Sequence, residues 1–154
     1  MPLEVETLLP DENDILLTDV TESQFHSVEI ELNVQNGTET NKTHKYPVQG
    51  VIMGSYGRMW IPLIVCKRNK SFHTIFLYNT GSPYTHLSKF ILEKIGYTDN
   101  IPESIVVNIN GVNLTVYLSK NHFENINLLG QDFMKLAGID VAISYNNLSF
   151  EFNK

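Results

Sequence analysis

The residues best suited to chemistry lie between positions 75 and 88, which read IFLYNTGSPYTHLS. Asn79, Thr80, Gly81 and Ser82 follow an apolar run, as a loop does at the end of a buried strand. An asparagine amide donates and accepts hydrogen bonds but has no proton to share near neutral pH, so Asn79 cannot act as acid or base. Ser82 with His86 would suggest a nucleophile and base, yet no third partner or elbow sequence accompanies them. For His86 the expectation is a surface or capping role. The five histidines (His26, His44, His73, His86, His122) have no ligand spacing, so no metal site is expected. NTGS also lacks the Gly-x4-Gly-Lys-Ser/Thr spacing of a phosphate loop, and no cofactor is expected. Cys66 ends an apolar stretch and is expected as core filler rather than a nucleophile.

Composition narrows the classes. The 154 residues are 42% hydrophobic and 18% charged, which fits one globular domain able to bury a core without disulfides or metal. A single cysteine makes a reducing, intracellular and cytoplasmic setting the expectation. Five Asn-X-Ser/Thr sequons, at Asn36, Asn41, Asn69, Asn113 and Asn147, then read as accidents of an Asn-rich chain with no signal peptide. No apolar run approaches the roughly 18 residues of a membrane span, so no membrane partner is expected. The net charge of −6 is concentrated at the front, where residues 1–24 hold seven acids and no Lys or Arg. The remainder is almost neutral and gives no electrostatic case for nucleic acid. Residues 1–24 read as an acidic flexible arm, or as a short acidic-hydrophobic ligand for another protein.

The elements that must position Asn79 are mostly strands. Val28, Ile30, Leu32 and Val34 alternate with polar residues and predict a strand with one wet side. Asn36-Gly37 opens a polar loop expected to be mobile. Strands are predicted over 46–53, 59–66 and 72–78, with residues 25–57 forming extra N-terminal strands. Pro62 argues for an edge position in the second of these. Tyr56 and Trp60 read as core or interface aromatics. A short helix follows over 88–96, with Ser88 capping it, Phe90, Ile91 and Ile95 lining one side and Gly96 ending it. Ile105, Val107 and Ile109 alternate up to Asn110-Gly111, and Val112, Leu114, Val116 and Leu118 alternate away, which predicts a type I′ hairpin. A helix QDFMKLA stopped by Gly138 and a hairpin over 139–152 complete the chain. The whole reads as mainly β with two short helices, a small closed barrel or sandwich.

The order of these pieces resembles the retropepsin-like aspartic proteases. The matching segments are IFLYNTGSPYTHLS and NLLGQDFMKLAGIDVAISYNNLSFEF (127–152); the resemblance covers residues 58–152, implying a domain over 58–154 with 1–57 outside it. It implies a small closed acid-protease-like barrel that pairs as a symmetric homodimer, each chain giving one catalytic loop and half a peptide cleft. In that family an Asp stands at the position of Asn79, and two such carboxylates share a proton so that one is base and the other acid. By the same resemblance Thr80 braces the partner loop, and Gly81 lets backbone N–H groups approach the side chain at 79. Ser82 borders the substrate, and Leu128, Leu129 and Gly130 back the loop at the substrate site.

Two departures from the family pattern follow. Asn79 keeps the loop's shape and loses its chemistry, so the chain as written is expected not to hydrolyse peptides. The glycine-rich flap expected after the 88–96 helix is shortened or absent, since 96–104 is only GYTDNIPES; VIMGSYGRMW upstream is a candidate substitute. Three readings stay open: a natural pseudoprotease that dimerises or binds a peptide or protein, an aspartic endopeptidase whose Asp was changed to Asn79, and a chance match.

Overall fold

The structure, a computed structural model, describes residues 19–154. Of the acidic arm expected over 1–24, residues 1–18 lie outside the described residues, and Glu22 to Gln24 belong to a helix. Among the described residues nine strands form one sheet: β1 (Val48–Met53), β2 (Arg58–Lys67), β3 (Lys70–Tyr78), β4 (His86–Leu87), β5 (Ser104–Ile109), β6 (Val112–Leu118), β7 (Asn127–Leu129), β8 (Asp140–Ser144) and β9 (Ser149–Asn153). The order β3-β7-β4-β6-β5-β2 closes through β2–β3 pairing into a six-stranded barrel, and β1, β9 and β8 extend from β2. Closure leaves no terminal strand in that ring, although β7 covers only Phe76–Tyr78 of β3. Among the described residues three α-helices accompany the sheet, where two were expected: α1 (Glu22–Leu32), α2 (Lys89–Ile95) and α3 (Gln131–Ala137).

The run at 74–77 is uninterrupted because β3 is buried on both faces. Ile75 and Leu77 join Trp60, Phe123 and Leu128 beneath α1. Phe76 instead joins Leu129, Phe133, Phe150 and Phe152 in the larger core. The β5–β6 hairpin turns on Asn110 (φ 44°) and Gly111 (φ 95°), the positive pair that a type I′ turn requires. Ser88 caps α2 by accepting from the Ile91 N–H, and Gly96 and Gly138 terminate α2 and α3.

Four expectations are corrected. Residues 28–32 are helical, part of α1, and residues 25–57 contribute this helix and β1 rather than strands throughout. Phe25, Val28 and Leu32 form a stripe at helical spacing that packs on the Trp60 cluster, while Ile30 is left exposed. β2 is not an edge strand: it pairs with β3 along its length and with β1 and β5 on its other side. Pro62 is tolerated because β1 pairing ends at Trp60 and β5 pairing begins at Val65, which leaves no ladder partner at 62 on that side. Phe90 faces outward on α2, and Leu92 takes the inward place beside Ile91 and Ile95. Residues 37–40 are not a free loop. Gly37 N–H donates to His73 O, Thr40 N–H to Ser71 O, and Glu39 bridges Phe72, so this segment covers the first half of β3's outer edge.

Two buried asparagines seal that edge where residues 37–40 give way to β7. Ile75 N–H donates to Asn36 Oδ1 (2.8 Å), and Asn127 Nδ2 donates to Ile75 O (3.0 Å). Asn127 Oδ1 in turn accepts from Ser88 N–H (2.9 Å), which ties β7 to the α2 cap. Each amide replaces a missing ladder partner, since an unpaired buried peptide group is expensive.

Candidate functional site

Strand β3 ends in the Asn79 loop, and strand β7 beside it fixes where that end lies. Phe76, Leu77 and Tyr78 pair in parallel with Asn127, Leu128 and Leu129. The ladder continues one step into the loop, where Asn79 N–H donates to Leu129 O (3.1 Å). The chain then folds on itself. Ser82 N–H donates to Asn79 O (3.1 Å), and Gly81 N–H donates to Asn79 Oδ1 (2.9 Å). The carboxamide oxygen at 79 is thus held by a backbone N–H two residues on, the contact an Asx turn makes. Asn79 is half-buried, and Thr80 and Gly81 lie at the apex, with Gly81 exposed.

The far side of the loop rests on α3. Gln131 N–H donates to Ser82 O (2.9 Å), Asp132 N–H to Pro83 O (3.1 Å), and Gln131 Nε2 to Thr80 O (3.2 Å). The Asp132 carboxylate then reaches back, accepting from Thr85 N–H (3.1 Å), Thr85 Oγ1 (2.7 Å) and its own neighbour Phe133 N–H (2.7 Å). Thr85 Oγ1 also accepts from Gly130 N–H (3.0 Å). Gly130 sits so close to Tyr84 that a Cβ there would fall 2.4 Å from its carbonyl oxygen. Only glycine allows that approach.

The residues singled out from sequence therefore split into two groups. Asn79, Thr80 and Gly81 form the accessible loop. Ser82, Leu128, Leu129 and Gly130 are buried behind it: Ser82 Oγ donates to Tyr84 O (2.7 Å), and both leucines are fully enclosed. Their contacts in this chain are scaffold contacts. His86 is buried on β4 rather than exposed, packed edge-on to Phe123 and tilted against Tyr117. Sequence reasoning missed Asp132, Thr85, Asn36 and Asn127, whose partners are distant in sequence.

A shallow recess of about 190 Å³ opens beside Asn79 and Thr80, floored by Leu77 and Tyr78 and walled by Tyr56 to Met59 of the β1–β2 hairpin. No carboxylate, imidazole or thiol lines it among the described residues. Tyr78 keeps its proton, since burial pushes its phenol above the ordinary range and the bond with Gln131 only partly offsets this. Arg58, at the recess, is held by Asp19 through Nε to Oδ2 (2.9 Å) and Nη2 to Oδ1 (2.6 Å). That fork holds the Asp19 carboxyl below its usual range, so Asp19 is a fixed anion and not a proton donor. The recess can take up hydrogen-bonding groups and an apolar side chain, but it holds no group placed for proton transfer at neutral pH.

No group of three or more His, Cys, Asp or Glu is placed to hold a metal ion among the described residues. No helix among them is long and apolar enough to cross a membrane. Comparison with protein-family models, with curated proteins and with solved structures gave no match.

Proposed function

We propose that this chain is a retropepsin-like domain that does not hydrolyse peptides and acts instead as a homodimerising or peptide-binding module. The observation that carries the reading is the Asn79 loop. It is braced by β7 and α3, keeps Thr80 and Gly81 at its apex, and presents an amide where the family's chemistry needs a carboxylate. Leu128 and Leu129 back the loop from a parallel strand, as the resemblance implies. One chain supplies one loop, so a complete cleft takes two copies about a two-fold axis. Facing asparagines bond across that axis without the repulsion of two carboxylates. A peptide in the cleft is held by added strand pairing and is not cut.

A second reading, an endopeptidase whose Asp was changed to Asn79, is favoured by the intact Thr80-Gly81-Ser82 and the complete bracing around it. Against it stands the covering element. The chain passes from α2 to β5 with no intervening strand, and the β1–β2 turn at Tyr56 is the hairpin beside the loop. Sedimentation equilibrium tests the dimer. The 17.6 kDa chain is expected at twice its mass. Thr80→Ala, which removes one cross-axis hydrogen bond from each copy, weakens association by about 30-fold at roughly 1 kcal/mol per bond. A chain monomeric at every concentration tested would remove the homodimer from the account.

A further inference from the structure

A groove of about 490 Å³ lies between α1 and the barrel and shares no residue with the recess at Asn79. That volume is in the range of binding pockets. Phe25, Phe90 and Ile126 supply apolar wall. Glu22 and Glu29 line it as well, with no Lys or Arg among the lining residues. Lys94 of α2 is nearby, its Nζ 5.3 Å from the Phe90 ring. His26 stands 3.7 Å from Glu29, and His122 lines the opposite side.

Asn36 adds an independent indication. It is nine-tenths buried and lines the same groove. The Ile75 N–H at 2.8 Å fixes its oxygen inward, since only an acceptor suits that contact. The amide nitrogen has no acceptor among the described residues, so a carbonyl entering the groove can take its hydrogen bond.

We propose that this groove binds a peptide segment bearing an arginine or lysine. The stem of the basic side chain lies on Phe25, Phe90 and Ile126, its charge meets Glu22 and Glu29, and a peptide carbonyl accepts from Asn36 Nδ2. Aromatic faces and carboxylates together suit a cation on an apolar stem. This site does not rest on the reading of Asn79.

The test titrates the full chain with acetyl-Leu-Arg-Leu-amide, following amide and side-chain NMR signals. The saturable shifts are expected at Phe25, Phe90, Ile126 and the Asn36 side-chain NH₂. The same peptide with citrulline for arginine, equal in shape and neutral, is expected to bind at least about tenfold more weakly, as loss of one charge-assisted bond requires. Agmatine, the cation without the peptide carbonyls, is also expected to be at least about tenfold weaker. Glu22→Gln with Glu29→Gln should erase the arginine preference; Glu22→Gln alone, at an exposed position, is the control should the double variant not fold. Equal binding of the citrulline peptide, or shifts confined to other surfaces, would overturn the site. Agmatine binding as tightly as the peptide would overturn the peptide assignment.

Discussion

Replacing Asp132 probes the brace beneath the Asn79 loop. Its carboxylate accepts three hydrogen bonds, two from Thr85 and one from Phe133 N–H. Bonds to a charged group are worth roughly 1.5–3 kcal/mol each in mutational series. Asp132 is half-buried, so water recovers part of that in the variant. A total of about 3 kcal/mol is therefore expected for Asp132→Ala. In a domain of about this size each kcal/mol moves Tm by roughly 2–4 °C, which makes the drop about 6–12 °C. Asp132→Asn should fall between wild type and alanine. Its oxygen still meets Thr85 Oγ1 and Phe133 N–H, but its NH₂ then faces the Thr85 N–H, donor against donor. Urea melts give the magnitude, and amide exchange at Thr85 and Gly130 shows whether the loss is local. A loss under about 1 kcal/mol for the alanine variant would show that α3 does not hold the loop through this carboxylate.

Two other outcomes follow from the same contacts. Gly130→Ala should lose several times the roughly 1 kcal/mol typical of point variants, because its Cβ meets Tyr84 backbone and not a side chain that can turn away; a melt within about 1 kcal/mol of wild type would refute the packing described at β7. The Asp19–Arg58 pair predicts an acid-side stability loss. The folded pKa of Asp19 is depressed, so its contribution is complete above the ordinary carboxylate value and is lost as pH falls through the lower folded value. Asp19→Asn should therefore be less stable than wild type at neutral pH and converge with it in acid, as denaturant melts across that range would show.

The parts of the fold that depend on local chemistry are legible in the sequence. Asn110-Gly111 with alternating flanks, Ser88 before an apolar turn, and the glycine stops at 96 and 138 each carry their conformation in one or two residues. Helix α1 reads as a strand because Val28, Ile30, Leu32 and Val34 satisfy a period of two as well as Phe25, Val28 and Leu32 satisfy a helical one. The signal that separates them is present: Thr21 with Gln24 three residues on is a helix-start pattern, and Thr21 Oγ1 accepts from Gln24 N–H. Pro62 misleads because a break between two ladder partners looks, in one strand's sequence, like an edge. Asn79, Thr80 and Gly81 can be placed from their neighbours. Asp132 with Thr85, and Asn36 with Asn127, cannot, since their bonds span 39 to 91 residues and no local pattern encodes them.

Peptidase activity of Asn79→Asp beside wild type tests the central claim most directly, with a mixed peptide pool between about pH 4 and 7, where a proton-sharing carboxylate pair works. The account predicts that neither form cuts, because the covering element and the recess, as well as residue 79, lack what catalysis needs. Cleavage by the Asn79→Asp variant alone would contradict it and leave a complete protease silenced at one position.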